Sequence, residues 1–161
     1  MMTQPEAQQE FFDAFLKEDA ARLEASLKAG ADPDLKDAAH GFSYSLIIAV
    51  VHAQRDMLHL LLKYGATVDV IDDVGDTPLL VAARLGKPEI AGPLLDKGAS
   101  LDVLDGDGLT PAGIAVEKGN MPLQRLFAKT AMQREEAALN AEVLPLTEEQ
   151  PQPFPSTRRC V

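Results

Sequence analysis

The chain has 161 residues, 46% of them hydrophobic with only eight aromatics, and carries 15 Lys and Arg against 25 Asp and Glu, a formal net charge of −10. That length suits one domain with an alanine- and leucine-packed core, and the acidic balance argues against nonspecific nucleic-acid binding, which needs Lys and Arg to neutralise phosphates. Cys160 is the only cysteine, so no intramolecular disulfide or cysteine-based zinc site is possible, and even the apolar run Leu46 to Val51 is cut by His52, Gln54 and Arg55, far short of the roughly 18 residues of a membrane span.

Residues 1–9 read as a polar segment without the basic and apolar regions of a signal peptide, so residence in the cytoplasm is expected. Phe11, Phe12, Phe15 and Leu16 then mark a first helix, and Leu23 and Leu27 a second that ends at Gly30. Glu10, Asp13, Lys17 and Glu18 give this pair the polar outer side that a terminal unit needs. A second unit follows over F-S-Y-S-L-I-I-A-V-V-H-A-Q-R-D-M-L-H-L-L-L-K-Y-G. The third, G-D-T-P-L-L-V-A-A-R-L-G-K-P-E-I-A-G-P-L-L-D-K-G from Gly75 to Gly98, sets the pattern. Thr77-Pro78 returns as Thr110-Pro111, Ala82 as Ala49 and Ala115, Gly86 as Gly119, Leu94-Leu95 as Leu61-Leu62, and Gly98 as Gly65, each at a spacing of 33.

Gly30, Gly65 and Gly98 are placed to close second helices in the left-handed conformation. Pro88 and Pro122 lie early in second helices, where a missing amide is tolerated, but Pro93 falls inside one and predicts a kink near Glu89. Beyond the array of 10–130, with units near 10–36, 37–72, 73–105 and 106–130, the helix formers of 131–144 predict a helical extension. Residues 145–161 hold four of the eleven prolines and no apolar period, and read as a disordered tail.

A fixed 33-residue period is the signature of a solenoid whose units bury their apolar faces only by stacking. The T-P-L-x-x-A-A core, the L-L-x-x-G-A close and the D-x-x-G-x-T-P entry resemble the ankyrin repeat over roughly residues 10 to 130. The resemblance implies an all-α ankyrin solenoid of about four stacked helix-turn-helix units, with hairpin-like acidic loops between them. It further implies that Thr-Pro pairs start the first helices by capping, so that unit two, with Tyr44-Ser45 there and Ala53 for the inter-helix Gly, must begin its helix differently.

The loops 32–37, 69–76 and 102–107 contain ten Asp and one Lys, and in an ankyrin array they would align as one acidic stripe suited to a basic partner surface. Asp is also at home there because its side chain bonds nearby amides in tight turns. Asp105-Gly106-Asp107-Gly108 fails as a calcium loop, since Val103 and Ile114 stand where ligands belong. His40, His52 and His59 lack cysteine companions and a common helix face. No phosphate loop, dinucleotide fingerprint or nucleophile elbow occurs, so no enzyme activity, cofactor or metal is expected.

By position in the ankyrin pattern, His40, Gly41, Ser43, Asp73, Val74, Asp76, Gly106, Asp107 and Leu109 are finger residues, and Val51, His52, Arg84, Leu85, Glu117 and Lys118 lie on the concave helical face. Tyr64 and Lys97 complete that surface, Tyr64 as the favoured anchor. The resemblance thus implies a monomeric, non-catalytic adaptor for a protein partner. Its alternatives are an inhibitor or immunity protein that occludes a basic enzyme such as a nuclease toxin, a self-assembling structural protein, and a host-directed effector.

Overall fold

The computed structural model describes residues 3–37 and 43–142. Helices follow one another in pairs joined by tight turns: α1 (Gln4–Leu16) with α2 (Ala20–Lys28), α3 (Ser45–Val51) with α4 (Arg55–Lys63), α5 (Pro78–Leu85) with α6 (Pro88–Asp96), and α7 (Pro111–Glu117) with α8 (Met121–Glu142). Between α2 and α3 a two-residue antiparallel ladder pairs β1 (Lys36–Asp37) with β2 (Ser43–Tyr44). First helices α3, α5 and α7 pack in sequence as one layer, and second helices α2, α4, α6 and α8 as another. This is the expected all-α repeat solenoid.

The seam is made of small residues at one repeat position. Ala14, Ala49, Ala82 and Ala115 are all fully buried, which lets neighbouring first helices approach closely while Leu58, Leu61, Ile90, Leu94, Leu123 and Phe127 fill the space behind them. At the N-terminal end Phe11 stacks on Phe15 at 6.0 Å between ring centroids and meets Phe12 edge-on at 5.7 Å. α1 begins at Gln4, earlier than the array start expected near residue 10, and Ala7 in its first turns is buried. Of the residues expected on the outer side, Lys17 and Glu18 are exposed, whereas Asp13 and Glu10 are half-buried and Glu10 accepts a hydrogen bond from Arg22 at 2.6 Å.

Helix starts follow local chemistry. Thr77 and Thr110 accept from the amides of Leu80 and Gly113 at 3.4 and 3.1 Å, with Pro78 and Pro111 in the first turn where no amide is missed. Unit two solves the same problem from the side. Tyr44 offers no side-chain cap, and the buried Ser45 instead donates its amide to the Leu35 carbonyl at 3.0 Å and its hydroxyl to the Pro33 carbonyl.

Pro93 sits inside α6 without ending it. The distortion expected near Glu89 does not interrupt the helix: Pro93 has no amide for the Glu89 carbonyl, yet α6 is continuous from Pro88 to Asp96, with Glu89 itself exposed. The last unit differs more. Ala131 stands 33 residues after Gly98, so no glycine closes the second helix, and α8 runs on to Glu142 through most of the expected 131–144 extension. Arg134 anchors that continuation by donating to the carbonyls of Ala99 and Leu95 at 2.9 and 3.0 Å, behind the end of α6. The tail expected at 145–161 lies outside the described residues.

Candidate protein-binding surface

Two fingers share one construction. In the first, Asp72 Oδ1 accepts from the amides of Val74 and Asp76 at 3.0 and 2.8 Å, and the Asp72 amide donates to the Asp76 carbonyl at 3.0 Å. Thirty-three residues on, Asp105 Oδ1 accepts from Asp107 and Leu109 at 3.0 and 2.9 Å, and the Asp105 amide donates to the Leu109 carbonyl at 3.0 Å. Each tip turns through a glycine at positive φ, Gly75 at 89° and Gly108 at 78°, a conformation that a side chain disfavours.

The finger bases are stitched to each other and to the helices. Arg84, at the end of α5, forms a two-pronged ion pair with Asp76 and reaches Asp105 on the next finger at 3.3 Å. Its guanidinium is held above its ordinary pKa, chiefly by the hydrogen bonds it donates to Asp76 and then by the one it donates to Asp105. The Asp105 carboxyl is held below its ordinary value, first by the Leu109 amide and also by the Asp107 amide and Arg84. A second stitch runs from unit to unit, with Asp34 accepting from the Thr67 amide at 2.8 Å and from its hydroxyl, and Asp69 accepting from the Ser100 amide at 3.0 Å.

Six of the ten loop aspartates, Asp32, Asp34, Asp69, Asp72, Asp76 and Asp105, therefore spend their oxygens on amides, a hydroxyl or Arg84. Asp73 faces Lys36 at 3.9 Å, and Asp102 and Asp107 are exposed. The acid of the loops is mostly turn chemistry.

Beside the fingers, the ends of the first helices share a register fixed by the backbone. Glu18, Ala53, Gly86 and Gly119 occupy equivalent turn positions, all with left-handed φ between 54° and 71°. The residues two before them are Leu16, Val51, Arg84 and Glu117, and those one before are Lys17, His52, Leu85 and Lys118. All eight are exposed, and three are large and apolar: Leu16 at 56%, Val51 at 48% and Leu85 at 42% of full exposure. A cleft bordered by Phe15, Leu16, Glu18, Ile48, His52 and Gln54 continues this row between units one and two.

The structure brings Val51, His52, Arg84, Leu85, Glu117 and Lys118 onto this row and puts Asp73, Val74 and Asp107 at exposed fingertips, with Leu109 half-buried. Asp76 is buried against Arg84 and offers no accessible carboxylate. Tyr64 and Lys97 end second helices. Tyr64 is half-buried, its hydroxyl donating to Glu24 at 3.1 Å, so its hydroxyl already serves the contact between units. His40 lies outside the described residues, and of Ser43 only the backbone is described. Leu16, Ile71 and Leu104 are exposed apolar residues that the sequence reading did not place on the surface; the last two are one repeat apart, and that spacing was the available signal.

Among the described residues no helix is long and apolar enough to cross a membrane. Comparison with curated proteins finds no match. The family model described as ankyrin repeats (3 copies) matches residues 12–105, more than half of the chain. With two layers of paired helices, fingers of one design and a 33-residue register, the chain belongs to the ankyrin repeat family, whose repeats are generally protein–protein interaction modules and typically non-catalytic.

Proposed function

We propose that the chain is a non-catalytic adaptor that holds a protein partner across the ends of its first helices and the adjoining fingers. The observation that carries this reading is the exposed row Leu16, Val51 and Leu85, one large apolar residue on each of α1, α3 and α5, flanked by His52 and Arg84. Apolar residues set in a polar rim are the composition of an interface centre. The exposed Asp73 and Asp107 favour a partner with a basic patch at the finger edge, acting more on encounter rate than on affinity.

The test is capture of partners by the full-length chain and by the variant Val51→Glu/Leu85→Glu. Both positions are exposed, so an unchanged thermal midpoint is the control for folding. A protein retained by the native chain and lost at least about tenfold in affinity by the variant supports the reading. Equal binding by both would sink it.

A further inference from the structure

α8 is apolar on two opposite sides. At about 100° per residue, Leu123, Phe127, Thr130 and Arg134 form the side that docks on the array, the first two fully buried. Met121, Ala128, Met132 and Leu139 fall within a narrow strip on the other side, along about 27 Å of helix. All four are exposed, Met121 at 54%, Met132 at 70% and Leu139 at 60%. Water gains nothing from three large apolar side chains in line, and the docked side already accounts for the helix's place in the fold.

The strip is complementary to itself when reversed. Met121 and Leu139 are equidistant from residue 130, as are Ala128 and Met132, so an antiparallel copy sets Met121 against Leu139 and the small Ala128 against the long Met132. One charge pair follows the same centre. The exposed Arg125 lies about 40° to one side of the strip and the exposed Glu136 about 60° to that same side, with the exposed Lys129 further round on that edge at about 80°. A two-fold axis through residue 130 keeps both on one edge, and so places each Arg125 opposite Glu136 of the second copy. Glu135, on the other edge, meets Gln124. Arg134, which would spoil the acidic half, is turned to the other side and occupied by the carbonyls of Leu95 and Ala99.

We propose that two copies of this chain associate through α8 in an antiparallel, two-fold symmetric pair, in place of the monomer expected from the sequence. Such an interface is isologous, each contact occurring twice. It uses none of the residues assigned to the first-helix ends or the fingers, so the adaptor surface would be presented in duplicate.

Sedimentation velocity of the full-length chain over a wide concentration range is the test. A monomer–dimer equilibrium is expected, weakened at least about tenfold by Met132→Glu and several-fold by Arg125→Glu or Glu136→Arg alone. The double variant Arg125→Glu/Glu136→Arg restores it, since both symmetry-related pairs are then reversed together. Helix content by circular dichroism shows that each variant folds. A monomer at every concentration overturns the proposal, as does a dimer indifferent to all three single changes. A dimer that fails only when residues 143–161 are removed, with the α8 variants silent, overturns it in favour of the terminal segment.

Discussion

The inter-helix turns show how one residue decides local strain. Gly86 and Gly119 adopt left-handed φ of 71° and 62° at no steric cost, but Ala53 is forced to 55° and Glu18 to 54°. A side chain in that region costs about 1–2 kcal/mol. Glu18 puts its side chain to use, accepting from Gln54 Nε2 at 2.8 Å across the first unit boundary, whereas Ala53 has only a half-buried methyl. Ala53→Gly is therefore expected to stabilise the fold by about 0.5–1 kcal/mol, as a rise in the urea or thermal midpoint; the gain in turn geometry exceeds the lost methyl contact and the added freedom of the unfolded chain. The missing glycine at Ala53 was legible in the sequence by its 33-residue offset. The equivalence of Glu18 was not, because unit one stands at an offset of 35, marked only by Gly30 against Gly65, and has neither an inter-helix Gly nor a Thr-Pro pair at that turn. Asp76 was misleading for another reason. Its acidity is visible in the sequence, but that Arg84, eight residues later, folds back to cover it depends on the finger base meeting the end of α5.

At the scale of the element, unit three was the most legible because its apolar period, its capping Thr77 and its closing Gly98 agree, whereas units two and four each keep only part of that punctuation. α8 departs from the others through one substitution of that punctuation, Ala131 in the glycine position, past which the helix continues through Glu142. α6 carries the opposite anomaly. Pro93 deprives the Glu89 carbonyl of its partner while the helix continues to Asp96, so the backbone there is already helical, as an alanine would accept. Pro93→Ala is expected to stabilise by about 1–2 kcal/mol, the helix propensity gained being partly offset by a more disordered unfolded state. A fall in the midpoint would mean that the half-buried pyrrolidine ring is needed for packing between α6 and its neighbours.

Across the whole molecule, cohesion comes from contacts between consecutive units. Glu24 on α2 gathers Lys63 at 2.8 Å, Tyr64 at 3.1 Å and Lys28 at 3.4 Å, which ties unit one to the end of α4. The hydrogen bonds from Lys63 and then Tyr64 hold its carboxyl down to about 2 from an ordinary 4.5. Its contribution is thus complete above the ordinary value and is lost as the pH falls through that interval. Glu24→Gln is expected to lower the urea midpoint at pH 6, with the difference from the native chain shrinking toward zero by about pH 2; a constant difference would refute the assignment. The net charge, by contrast, says less about partners than its size suggests, since most loop carboxylates are occupied within the fold.

The forward stitches give this array a direction. Asp34 holds Thr67 and Asp69 holds Ser100, each carboxylate gripping the polar residue two places after the next unit's closing glycine. Asp102 stands at the same place in its unit, exposed, but 33 residues beyond Ser100 the chain offers Gln133, in the middle of α8. The last grip is therefore extended toward a unit that the helix has replaced. An artificial lengthening of the solenoid would join best at this seam, because a further copy of unit three spliced in after residue 105 would bring both the serine that Asp102 lacks and a fresh aspartate to pass the grip onward.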